Sequence, residues 1–284
     1  MKNQIRTIFL LGVLSALLIA VGGMMGKGTL WLAFGLAAAM NLGAYFFSHK
    51  IVLRLNGARE IGPGEAPGLH QMVQELAYSA GIPKPRVYLI PDPQPNAFAT
   101  GRNPKHGVVA VSSGLLQVMD ERELRGVVAH ELAHIKNRDI LVATVAAMIA
   151  AAVGYLANVL SFALFFGRSD GEEGGSGAGG LLAILVAPIA ATLVQLGISR
   201  SREYLADETG ARIAGDSEGL ARALEKLERA AKVIPAETAP ATASLFIVNP
   251  LAGAQGVMRW FSTHPPTRER IRRLRERTRE RKAA

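Results

Sequence analysis

Four long apolar segments dominate the pattern of hydrophobic and polar positions along the chain. They cover residues 5–26, 29–47, 140–166 and 181–199. Each has roughly the ~20 residues that a helix needs to cross ~30 Å of hydrocarbon. A buried helix of a soluble domain rarely runs this far with so few charges. The pattern therefore predicts four transmembrane helices, although the first segment, with Lys2 and Arg6 at its start, could instead be a signal peptide.

Shorter patterns predict a mainly α, α+β domain between and after these spans. A Gly- and Pro-rich linker over 48–68 is followed by several short elements. Helices are predicted over 69–80, 113–119, 200–212 and 217–232, and strands over 86–90, 96–101 and 107–112. Asp120 and Glu123 form a capping box, so a helix should begin at Glu121 and run with little interruption into the third span. The expected fold class is an α-helical membrane protein with a small β-sheet beside this capped helix.

The distribution of charge predicts the orientation of the spans. Residues 48–138 carry eleven Lys and Arg, whereas residues 167–180 carry one. Because basic loops stay in the cytoplasm, the polar domain and both termini should lie inside. The expected division is two spans in 1–47, a first cytoplasmic part in 48–139, two spans with an acidic Gly-rich external loop in 140–199, and a second cytoplasmic part in 200–284.

Composition narrows the possible partners and ligands. The net charge is +9, and residues 268–282 contribute nine Lys and Arg against three Glu. A basic helix tethered to a membrane is explained by anionic lipid or by solvent, so no nucleic-acid partner is expected. The chain has no cysteine. Any bound metal must therefore be held by histidine and carboxylate side chains.

The capped helix carries the strongest chemical signal, His130-Glu131-Leu132-Ala133-His134. Residues four apart share one face of a helix, so His130 and His134 can bind one zinc ion. Glu131 is offset by one position, where it can act as the general base for a zinc-activated water. A chance occurrence on an exposed helix is the alternative, and the position just before a membrane span argues against it.

A catalytic zinc needs a third protein ligand and one open position. The best candidate is Glu203, which follows the fourth span and is spaced four residues from Asp207. One carboxylate can bind zinc while the other accepts a hydrogen bond from a ligand histidine. An exposed, charged start of a helix is the equally simple alternative on spacing alone.

These motifs together resemble the HtpX family of membrane-bound zinc proteases, gluzincins related to the CAAX prenyl-protein endopeptidases. The matching segments are HELAH at 130–134, SREYLAD at 201–207, PNAFATG at 95–101, VNP at 248–250 and STHPPT at 262–267. The resemblance implies that His130, His134 and Glu203 bind one zinc ion, that Glu131 is the base and that Asp207 orients a ligand histidine. It also implies quality control of misfolded or damaged membrane proteins at the cytoplasmic membrane.

Two further residues have open roles. Asn96 could bind substrate beside an edge strand, or it could only shape the turn after Pro95. His264 could donate to the oxyanion of the tetrahedral intermediate, or it could be structural. Arg270 is a weaker candidate for the same region.

Three functions compete at this point. An endopeptidase acting on membrane proteins and unfolded polypeptides uses all of the motifs. A membrane adaptor with a structural zinc site would have no need of Glu131. A transporter is disfavoured because the centres of the predicted spans hold no ionisable residue. Contact with membrane lipids is expected in each case, and the oligomeric state is not predicted.

Overall fold

The computed structural model describes residues 5–12, 15–16, 19, 27–146, 149, 200–233, 245–247 and 265–283 of the 284-residue chain. The fourth predicted span, most of the third, the loop 167–180, the segment 248–250 and His264 lie outside the described residues.

Helices and a small sheet alternate along the described chain. The helices are α1 (Lys27–Leu55), α2 (Pro67–Ala80), α3 (Ser113–Val118), α4 (Glu121–Lys136), α5 (Arg200–Ala214), α6 (Glu218–Val233) and α7 (Thr267–Ala283), and a 3-10 turn covers Pro104–His106. The strands are β1 (Arg59–Glu60), β2 (Arg86–Ile90), β3 (Ala97–Thr100) and β4 (Val108–Ser112). The elements predicted between residues 69 and 119 are confirmed to within two residues at their ends.

The four strands form a mixed sheet in the order β1-β2-β4-β3. β2 and β4 are parallel, while β1 and β3 pair antiparallel with β2 and β4 respectively. All five residues of β4 are buried. This matches its nearly continuous apolar sequence, because a strand covered on both faces has no polar side to present.

The main core lies where α4 packs between the sheet and the helices α5 and α6. The capping box predicted at its start is present, with the Asp120 side chain accepting from the Glu123 N–H and the Glu123 side chain accepting from the Asp120 N–H. The apolar side of α4 is fully buried through Val127, Val128 and Leu132. The cap fixes where α4 starts, and its apolar side then fixes which side chains face the core.

α1 is the described helix that is long and apolar enough to cross a membrane, over Phe34–Leu55. Large apolar side chains stand exposed along it, among them Trp31 at 78% and Leu42 at 61%. The helix runs to Leu55 and so takes up the first residues of the predicted linker. A second apolar cluster joins Leu10, from the first predicted span, to Val142 and Val145 at the start of the third.

The interruption between α4 and the third predicted span is short: α4 ends at Lys136, Arg138 adopts a positive φ of 59°, and the chain is helical again at residue 140. One expectation differs from the structure. The basic helix α7 is neither free nor fully solvated. Its residues Ile271 and Leu274 lie in the main core, and Arg275 bonds to Glu218 and Glu225 of α6.

Candidate active site

Close contact between α4 and α5 assembles the site. Gly210 lies so near to α4 that a Cβ atom on it would be 2.9 Å from the Cα of His130. Only glycine tolerates this approach, because any other side chain would clash with the backbone of the neighbouring helix. The short distance brings Glu203, at the start of α5, to the two histidines of α4.

The three predicted ligands meet at one point. The Nε2 atoms of His130 and His134 are 3.2 Å apart. The carboxylate of Glu203 lies 3.5 Å from His134 Nε2 and 3.8 Å from His130 Nε2. Ligand atoms held ~2.0–2.1 Å from one tetrahedral zinc ion are separated by roughly 3.3 Å. These nitrogen and oxygen donors, all buried or partly buried, therefore fit one tetrahedral metal ion such as zinc.

Each ligand histidine is held by its own carboxylate. His130 Nδ1 lies 2.9 Å from Asp207 Oδ1, and His134 Nδ1 lies 3.2 Å from Asp139 Oδ2. Such contacts fix the orientation of the ring and leave Nε2 for the metal. Asp139 was not predicted from the sequence. The sequence feature that could have indicated it is a single acidic residue five positions after His134, directly before an apolar segment.

Arg270 lies beside the predicted ligands and is only 1% exposed, with its guanidinium 3.4 Å from His130 Nε2 and 3.7 Å from the Glu203 carboxylate. Its guanidinium donates to both oxygens of Asp207, at 2.8 and 2.7 Å. The charge of Arg270 keeps the pKa of Asp207 below its usual range, although burial works in the opposite direction. Asp207 therefore stays ionised and able to accept the His130 N–H.

Glu131 lies beside the three predicted ligands and is not part of the group that could hold a metal ion. It is 2% exposed, and burial raises its pKa to about 7. The backbone N–H of Ala99 in β3 donates to its carboxylate. A carboxylate with a pKa near neutrality can both take up and release a proton under ordinary conditions.

A small cavity of about 40 Å³ connects these groups. Its lining combines the metal ligands and Glu131 with the apolar residues Ala99, Ile140, Ala143, Leu245, Phe246 and Ile247. A larger cavity of about 490 Å³ lies between α5 and α7, and its described lining contains Asp207 but none of the three ligands. The smaller cavity is therefore the one that contains the predicted ligands and the predicted base.

Asn96, a predicted substrate-binding residue, lies directly before β3. Its side chain accepts a hydrogen bond from the N–H of Ala97, and its own N–H donates to Ser112 Oγ. These contacts shape the start of β3, and a role in substrate binding stays a prediction. The same holds for His264, which lies outside the described residues.

Comparison with known proteins decides the family. Residues 63–278 match the peptidase family M48. The chain belongs to peptidase family M48. A protease HtpX homolog of Aquifex aeolicus is 57% identical over 92% of this chain and 88% of its own length. A second protease HtpX homolog, from Pyrococcus furiosus, is 52% identical over 96% of this chain and 95% of its own length. The resemblance to the HtpX family is thus confirmed, and this M48 peptidase is a metalloendopeptidase.

One solved structure supports the fold. The crystal structure of S. mikatae Ste24p matches with a TM-score of 0.50 and 19% identity, over 96% of this chain. The chain spans 65% of the length of that protein. At this identity the likeness concerns the fold alone, which is mostly helical with a small mixed sheet.

Metal binding by this M48 peptidase should tighten as pH rises from about 6 to about 8, because a histidine must be neutral to coordinate. Burial opposes a charge on His134, but its hydrogen bond to Asp139 and two nearby carboxylates raise its pKa to about 9. His130, whose pKa burial lowers to about 4, is already neutral in this range. Below the pKa of His134, each unit by which the pH falls should therefore lower the metal affinity about tenfold.

Competition titrations of the chelator-treated protein with a metal-sensitive dye at several pH values measure this dependence. Calorimetry in buffers of different ionisation enthalpy would count the released protons. An affinity that stays constant between about pH 6 and 8 would contradict the assignment of that proton to His134.

Proposed function

We propose that this M48 peptidase is a zinc-dependent endopeptidase of the cytoplasmic membrane that hydrolyses misfolded or damaged membrane proteins. The observation that carries the proposal is the convergence of His130, His134 and Glu203 on one point, with Glu131 next to it and outside the ligand set. A purely structural metal site would gain nothing from a buried carboxylate with a raised pKa at that position. This arrangement favours the endopeptidase over an adaptor.

The proposed roles follow from the positions of the side chains. A zinc ion held by the three ligands would supply a Lewis acid that makes water acidic enough to lose a proton near neutral pH. Glu131, with a pKa of about 7, would take that proton and pass it to the leaving amine. Asp207 and Asp139 would keep the two imidazoles in place. His264 is proposed as a donor to the oxyanion.

Zinc is proposed over other metals because of the donor set. Two imidazoles and one carboxylate with an open position are typical of catalytic zinc in peptidases. Harder ions such as magnesium prefer oxygen ligands and octahedral geometry. The ligand separations of 3.2, 3.5 and 3.8 Å agree with the tetrahedral arrangement.

The four-span topology is part of the proposal. α1 supports the second span, and the exposed apolar side chains along it suit contact with lipid. The first predicted span contacts the second predicted span through a hydrogen bond of 2.7 Å from Asn41 to Ser15. Asp139 and Arg200 border the third and fourth predicted spans. The ligands of α4 and α5 would therefore meet at the cytoplasmic surface of the membrane.

Substrates would then be cytoplasmic loops or tails of membrane proteins, or segments drawn out of the bilayer. The test uses detergent-purified full-length protein with one equivalent of zinc and an unfolded polypeptide substrate. Cleavage that stops on addition of a chelator and returns with zinc supports the proposal. Protein that binds zinc in stoichiometric amount and leaves unfolded and membrane-protein substrates intact would instead support the adaptor.

The orientation can be tested directly, because the chain has no cysteine and single cysteines add no background. Ser176→Cys should react in intact cells with a membrane-impermeant thiol reagent, since loop 167–180 is predicted to lie outside. Tyr78→Cys, at a position 86% exposed on α2, should react only after the inner face is opened. Labelling of Tyr78→Cys in sealed cells would reverse the orientation and the proposed substrate class.

A further inference from the structure

The outer edge of β3 borders the active site, and it is partly covered by the chain itself. β3 pairs with β4 along one edge. Alternate residues of an antiparallel strand direct their N–H and C=O groups to its other edge. Here these are Ala97 and Ala99: the Ala99 N–H donates to Glu131, and the Ala97 carbonyl accepts from the N–H of Ile247 at 3.1 Å.

Residues 245–247 lie against the outer edge of β3 as a 3-10 turn followed by two bends, joined to it by the hydrogen bond from Ile247 to Ala97. Phe246 packs edge-to-face on Phe98 of β3, with ring centroids 5.4 Å apart, in the cluster that covers one face of the sheet. Ile247 belongs to the main core, on the face that carries α4. These two neighbouring side chains therefore cover the two faces of the sheet at its β3 edge.

The other end of this contact is tied to the metal centre. The carbonyl of Ile247 accepts a hydrogen bond of 2.9 Å from Arg270, whose guanidinium also binds Asp207. The segment 245–247 is therefore held by β3 on one side and by Arg270 on the other. The segment lines the cavity next to Glu131. This cavity, at about 40 Å³, has room for water but not for a peptide.

An extended peptide must pair with the outer edge of β3 to bring a scissile bond to Glu131, because that edge is where β3 meets the site. We propose that the segment 245–247 occupies the substrate position and that binding requires its displacement. The incoming ligand is an extended polypeptide with apolar side chains at two consecutive positions, one for each face of the sheet, since it inherits the surfaces now covered by Phe246 and Ile247. An N–H of the incoming peptide then donates to the Ala97 carbonyl in place of the Ile247 N–H. A C=O of the peptide accepts from Arg270 in place of the Ile247 carbonyl. This inference rests on the proposed peptidase function.

The test compares Ile247→Pro with Ile247→Ala in detergent-purified, zinc-loaded, full-length protein and a fluorogenic apolar peptide. Both variants lose the isoleucine side chain, but only proline also removes the N–H that binds Ala97. The KM of Ile247→Pro should be roughly fivefold lower than that of Ile247→Ala, the scale of one net hydrogen bond, with kcat unchanged. A KM that is equal or higher in Ile247→Pro overturns the proposal, because the segment would then lie off the substrate path or help to bind substrate.

Phe246→Ala provides a second route if proline prevents folding. It removes the packing on Phe98 and keeps every backbone hydrogen bond, so it should also lower KM relative to the wild type. A raised KM would show that Phe246 contributes to substrate binding. An unchanged KM would show that the contact of Phe246 with Phe98 does not oppose substrate binding. Either result overturns the proposal. A synthetic peptide with the sequence of residues 243–250 should inhibit competitively, and non-competitive behaviour would argue against a shared position.

The proposed function and this inference fail separately. Wild-type protein that binds zinc and does not cleave the peptide would refute the peptidase proposal before any variant is compared. Wild-type protein that cleaves, together with variants whose KM does not fall, would leave the peptidase intact and remove only the displaced segment.

Discussion

Replacing Glu131 by glutamine is expected to stop proteolysis while leaving one equivalent of metal bound. The amide keeps the size of the side chain and can no longer accept a proton from water. Loss of a general base lowers rates by about 10²–10⁴-fold. The ligands His130, His134 and Glu203 are untouched, so metal analysis of the purified variant should match the wild type. Single-turnover rates on an unfolded substrate measure the loss.

Glu121→Gln is the matched control for this experiment. Glu121 lies on the same helix, at the exposed first turn, and the same chemical change there should leave the rate close to that of the wild type. Turnover of Glu131→Gln at a similar level would end the proposed mechanism. A variant that also lost its metal would show instead that Glu131 supports the ligand set.

The local part of the fold follows from short patterns in the sequence. The capping box fixed the start of α4 because both of its partners lie within four residues. The strand β2 followed from a short apolar run between turn residues, and β4 from an alternating pattern. The shared face of His130 and His134 follows from helical periodicity alone. None of these features needs a contact from a distant part of the chain.

The features that sequence reasoning missed depend on distant contacts or on a single backbone angle. Arg270 was only a weaker candidate for the oxyanion region, and its buried contact with Asp207, 63 positions away, was not predicted. Asp139 gained its role because α4 ends at Lys136 and the turn through Arg138 directs the chain back towards His134. Residues 245–247 carry no recognisable motif. Their place beside β3 is set by Phe98 and Arg270.

The resemblance to a family identified Glu203 and Asp207 where spacing alone left an exposed helix as an equal alternative. The structure explains why spacing was not enough. Glu203 is only 4% exposed, and its burial follows from the close approach at Gly210. In the sequence, a glycine that permits close contact between two helices cannot be told from a glycine in a turn. The difference lies in the neighbour that it meets, which the sequence does not state.

Glu203→Ala is expected to lose both metal affinity and activity, because three protein ligands become two. The carboxylate that lies 3.5 Å from His134 Nε2 and 3.8 Å from His130 Nε2 would be removed. The loss of affinity should exceed the ~10–100-fold that follows removal of a hydrogen-bonding partner of a ligand histidine. Competition with a metal-sensitive dye in detergent measures the affinities.

Asp207→Ala and Asp139→Ala are the matched comparisons, since each removes one buried carboxylate that orients a histidine without taking a ligand from the metal. Both variants should bind metal more weakly by ~10–100-fold and keep some activity at saturating metal. Asp207→Ala should be the more damaging of the two, because it also leaves the buried Arg270 without its bidentate partner. Unchanged metal content in Glu203→Ala at low free metal would show that another carboxylate is the third ligand. A loss in Asp139→Ala as large as in Glu203→Ala would place Asp139 among the candidates.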